Sequence, residues 1–68
     1  MAVNEVARWK TINEIRGTKF DLTTAQIGGY IDEAVQNNGP FAEKHGGVPP
    51  KQGKKIWEVY QKHLRGAS

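Results

Sequence analysis

The sequence predicts a mainly α fold, a small three-helix domain spanning residues 1–68 with an extra short helical turn. Three observations carry this prediction. Apolar residues recur with helical rather than alternating spacing. Helix-starting and helix-stopping residues bracket three segments. A chain of 68 residues without cysteine holds one core, with no disulfide or thiolate site to support a loop-rich alternative. A core of that size implies marginal stability, about 5 kcal/mol or less.

The first helix is expected at residues 4–16. Asn4 suits the N-cap, Glu5 the first turn and Arg16 the last, and Gly17 follows as a stop. Its apolar residues Val6, Trp9, Ile12 and Ile15 recur every three positions. Such a row drifts by about 60° per step around a 3.6-residue helix, so the face is poorly focused. The alternative is a small β-hairpin near residues 12–22, pairing Ile12–Ile15 with Lys19–Leu22 across Arg16-Gly17-Thr18.

The second helix, residues 23–37, carries the strongest local signal. Thr23-Thr24-Ala25-Gln26 matches a capping box, and Leu22 and Ile27 are placed as a hydrophobic staple. Ile27, Tyr30, Ile31, Ala34 and Val35 form an i, i+3, i+4, i+7, i+8 face. Asn37-Asn38-Gly39-Pro40 ends the helix, with glycine expected in the left-handed cap. Gly28 and Gly29 interrupt it at about 1 kcal/mol each relative to alanine. Gly28 lies at the edge of the apolar face, where close approach of another helix explains it; Gly29 points to solvent without a structural reason.

Residues 40–45 are expected to form the short helical turn, stopping at Gly46-Gly47, with Val48-Pro49-Pro50 as an extended connector. The last helix is predicted over residues 51–65, with Gly53 delaying its regular start to Lys54 and Gly66 as the stop. Its core face is Ile56, Val59, Tyr60, His63 and Leu64, with Trp57 at the margin and His63 half-buried near the helix end.

Net charge is +3, unevenly spread. Residues 1–38 carry four Lys or Arg against five Asp or Glu, a balance of −1; residues 39–68 carry six against two, a balance of +4. On a wheel with Ile56 at zero, Lys51, Lys54, Lys55, Lys62 and Arg65 fall within an arc of about 100° opposite the core. Glu58 sits inside that arc, spaced to pair with Lys62 at i, i+4. Exposed pairs of this kind contribute about 0.5 kcal/mol, too little to require five cations. A basic helical face points to nucleic acid, or to an acidic protein surface. The candidate binding residues are therefore Lys51, Lys54, Lys55, Lys62 and Arg65, with Trp57 as a stacking aromatic.

Catalysis is not expected. Asp32 and Glu33 are adjacent and diverge by about 100° on a helix. His45 and His63 lie eighteen positions apart without further ligands, so no metal or other cofactor is expected. No phosphate-cradling glycine motif is present. The helix-turn-helix motif does not fit either: about eleven residues separate the capped helix from the last one, where three or four are needed. No apolar run approaches the roughly 20 residues of a membrane span, and Met1-Ala2-Val3-Asn4-Glu5 lacks the pattern of a signal peptide.

The expectation is a small non-catalytic nucleic-acid-binding regulatory protein of the cytoplasm, of a composition that suits phages and mobile elements. The alternative is a protein-binding inhibitor or adaptor acting through exposed aromatics, Trp9, Phe41 or Trp57, and the same basic face. Either is compatible with a homodimer, because a core of this size gains from association.

Overall fold

Cap chemistry starts the first two helices where side chains can replace missing backbone partners. In the computed structural model, which describes residues 3–67, three helices follow one another: α1 (Glu5–Arg16), α2 (Thr24–Asn37) and α3 (Pro50–Ala67). Met1 and Ala2, read above for a leader, and Ser68 lie outside the described residues.

Asn4 caps α1, its side-chain oxygen accepting from the Ala7 N–H at 2.9 Å. The hairpin at 12–22 does not form. The helical ladder holds to Arg16, and the Gly17 and Thr18 N–H groups close on the Glu14 and Ile15 carbonyls at 3.2 and 3.0 Å. The physical reason is spacing. Ile12 and Ile15, three apart, would face opposite sides of a strand but share one side of a helix, and both are buried. The rest of the buried face departs from the expected row. It is Ala7, Thr11, Ile12 and Ile15, while Val6 and Trp9 remain 56% and 51% exposed. A row spaced by threes walks off the core within two steps, and the i+4 series Ala7–Thr11–Ile15 takes its place. The buried Thr11 hydroxyl is satisfied by donating to the Ala7 carbonyl at 2.7 Å.

The capping box of α2 forms in full. Thr23 Oγ1 accepts from the Gln26 N–H at 3.1 Å, and Gln26 Oε1 accepts from the Thr23 N–H at 2.9 Å. The far end is a Schellman motif: the Gly39 N–H reaches the Ala34 carbonyl and the Asn38 N–H the Val35 carbonyl. The left-handed residue is Asn38, at φ 60°, one position before the expected glycine.

Residues 40–45 are not helical. Tyr30 on α2 accepts the Phe41 N–H at 2.8 Å, and the Phe41 ring stacks on His45 at 3.8 Å. His45 and Val48 then exchange both backbone hydrogen bonds, at 3.0 and 2.9 Å, around Gly46-Gly47. The φ values of 59° and 82° at these glycines explain the outcome: two successive left-handed residues close a two-residue turn more readily than a helix end. This turn folds Val48 fully into the core, a position expected to be mere connector.

Helix α3 begins at Pro50 and continues past Gly66 to Ala67. Gly53 does not delay it; its N–H already bonds the Pro49 carbonyl at 2.8 Å. Gly53 is buried because Tyr30 lies across it, and any Cβ there would collide with the Tyr30 hydroxyl and ring. Gly28 also has a packing reason, and it is a side chain rather than a helix. Arg8 crosses α2 at this point, its Nη2 at 2.6 Å from where a Cβ would stand, to form a two-pronged pair with Asp32 at 2.9 and 3.2 Å. The core gathers Ile12, Ile15, Ile27, Ile31, Val48 and Ile56, all fully buried, with the larger helix interface between α1 and α3.

Candidate nucleic-acid interface

Helix α3 turns one face to α1 and α2 and the opposite face outward. Gly53, Ile56, Val59 and Tyr60 are buried on the inner side, with Gln52, Trp57, His63 and Leu64 half-buried beside them. Lys51, Lys54, Lys55, Lys62 and Arg65 are all exposed, as is Glu58. The six residues thus share one outward face, where a 3.6-residue wheel puts them.

Within that face the lysines differ. Lys62 Nζ lies 3.0 Å from both carboxylate oxygens of Glu14 on α1. His63 Nε2 is 2.9 Å from the same carboxyl group. The Lys62 ammonium first, and the His63 ring after it, hold the Glu14 carboxyl below the ordinary carboxylate range. Glu14 is therefore the acidic partner of Lys62, in place of the expected Glu58. The i, i+4 rule names neighbours along one helix, whereas α1 brings two oxygens to Lys62 from across the interface. Glu58 enters no ion pair among the described residues, and neither do Lys51, Lys54 or Lys55.

Trp57 is half-buried against the core, its ring 5.8 Å from that of Tyr60. It lies at the edge of the inner face rather than among the lysines. Of the other aromatics considered above, Phe41 is occupied by its stack on His45 and its edge-on contact with Tyr30 at 5.6 Å. Trp9 stands in the open beside Val6, with the Arg8 guanidinium carbon 5.9 Å from its ring centre.

Two features had no expectation. One is the Glu14 clasp, whose only sequence sign was a carboxylate on the polar side of α1. The other is a cleft of about 280 Å³ where α2 meets the Gly46-Gly47 turn, lined by Ala25, Gln26, Gly29, Tyr30, Glu33 and Gly46. Its sequence sign was Gly29, a helix glycine without a packing reason. Among the described residues, no group of three or more His, Cys, Asp or Glu is arranged to hold a metal ion, and no helix is long and apolar enough to cross a membrane. Comparison with protein-family models, curated proteins and solved structures found no match.

Proposed function

We propose that this protein binds nucleic acid without catalysis, through the outward face of α3, in a regulatory role in the cytoplasm. One observation carries the reading. Lys51, Lys54 and Lys55 stand within the first two turns of α3, exposed and without an ion pair among the described residues, on the face that neither α1 nor α2 covers. Neutralising phosphates with such lysines releases condensed counterions, which gives affinity without any demand for a shaped pocket. Arg65 extends the same face towards the helix end. Lys62, held by Glu14, contributes less.

Salt titration tests this reading. For four phosphate contacts the logarithm of the binding constant falls against the logarithm of salt with a slope of about −3.6 on duplex DNA and about −2.8 on a single strand. Lys54→Ala with Lys55→Ala flattens that slope by nearly two units on duplex DNA and by about 1.4 on a single strand. Glu58→Gln strengthens binding, because it removes the carboxylate from the basic face. No detectable binding to DNA or RNA at low salt up to about 100 μM would sink the proposal.

Val6 and Trp9 favour a second reading. Two large apolar side chains, each more than half exposed and three residues apart, give α1 a small apolar patch suited to a protein partner or a second copy of the chain. In that case Trp9→Ala abolishes binding, the double lysine variant changes it little, and the salt dependence is shallow.

A further inference from the structure

Tyr30 forms a fixed wall of the cleft on α2. Its hydroxyl accepts the Phe41 N–H at 2.8 Å, and its ring meets Phe41 and His45 edge-on. Gln26 forms another wall, held by the capping box, with its side-chain nitrogen 2.7 Å from where a Cβ on Gly47 would stand. Glu33 is the one charged residue of the lining. It is 53% exposed, and one of its oxygens is 3.1 Å from His45 Nε2. Gly29 has no packing reason: a Cβ there would meet nothing within 4 Å. Glycine is the poorest helix former after proline, so an open position in mid-helix would favour alanine on stability grounds. Gly29 lines the cleft and adds no side chain to it.

We propose that this cleft is a binding site for a basic side chain, lysine or arginine, presented by a protein partner. The lining offered by Ala25, Gln26 and the two glycines suits the methylene stem of such a residue. The Glu33 carboxylate at the same cleft accepts the cationic head. The volume is at the low end for small-molecule pockets, which fits one side chain rather than a whole ligand. None of the lining residues belongs to α3, so the inference is independent of the nucleic-acid reading.

The test uses two end-blocked tripeptides, glycyl-arginyl-glycine and the same peptide with citrulline, which keeps the shape and removes the charge. Each is titrated into the labelled full chain and followed by amide shifts in nuclear magnetic resonance. The expected result is saturable shifts at the Gly29, Glu33 and Gly46 amides with a Kd of about 1–10 mM for the arginine peptide, and about two- to fivefold weaker binding of the citrulline peptide. Gly29→Ala should raise the melting temperature by about 4 °C or more yet weaken the arginine peptide at least tenfold. Glu33→Gln should remove the preference for arginine over citrulline. The inference is overturned if neither peptide shifts these amides up to about 20 mM, if citrulline binds as well as arginine, or if Gly29→Ala binds as the unaltered chain does.

Discussion

The two ends of α3 carry similar charge in different surroundings. At its start, Lys51, Lys54 and Lys55 are exposed and enter no ion pair among the described residues. Near its end, Lys62 and His63 both converge on Glu14 and tie α3 to α1. The contrast shows that a basic stripe is not one unit. A lysine that faces a carboxylate from another helix is part of the fold, whereas one that faces only water is available to a partner. Position follows the same division. The start of α3 is set by close packing, with Tyr30 lying across Gly53, whereas the end is held by charge.

Gly53→Ala is expected to break the packed end and produce the largest effect. The new Cβ meets ring and hydroxyl atoms of a buried aromatic that already accepts the Phe41 N–H, so Tyr30 has to move. Overpacking of this kind costs about 1–3 kcal/mol, against a helix-propensity gain of about 1 kcal/mol. Because the Cβ meets ring atoms rather than the end of a flexible chain, the cost falls towards the upper end of that range, and the net is a loss of up to about 2 kcal/mol. Thermal melting should show it at about 4–8 °C per kcal/mol; an unchanged or higher melting temperature would mean Tyr30 does not lie across this glycine.

Thr23→Ala comes next, since it weakens the helix that holds Tyr30. Loss of the cap hydrogen bond destabilises by about 1 kcal/mol, which a denaturant midpoint resolves in so small a domain. No change in midpoint would place the start of α2 elsewhere.

Lys62→Ala sharpens the comparison directly. Removing an exposed ion pair should lower stability by less than about 1 kcal/mol. The salt slope of binding to duplex DNA should flatten by less than one unit, in contrast to nearly two for the Lys54 and Lys55 pair. A larger loss of slope at Lys62 than at Lys54 and Lys55 together would reverse the assignment of the two ends.

The smallest effect concerns pH. The Glu14 carboxyl is lowered by Lys62 and then by His63, so the folded state favours its ionised form. A depressed carboxylate contributes stability that is present above its unfolded pKa, about 4.3, and is lost as pH falls through the lower folded value. Stability curves of the unaltered chain and Glu14→Gln should therefore converge below about pH 4 and separate above it. Parallel curves across that range would dissolve the clasp.

Local chemistry was sufficient for much of this molecule. The capping box at Thr23 and Gln26, the Asn4 cap, the apolar face of α2 and the outward set of lysines on α3 all follow from neighbours within one or two turns, where geometry is the same in any helix. Three decisions were out of reach of such reasoning, because each depends on an atom brought from elsewhere in the chain. Val6 and Trp9 lost the core to Ala7 and Thr11 once α1 had to pack chiefly on α3. The residues after Pro40 gave up a helical turn because Tyr30 offered Phe41 a hydrogen bond and Gly46-Gly47 allowed the chain to reverse. Lys62 left Glu58 because the helix crossing set both Glu14 oxygens 3.0 Å away. The cleft beside Gly29 belongs with these: concavity arises between elements, and no spacing along a single helix encodes it.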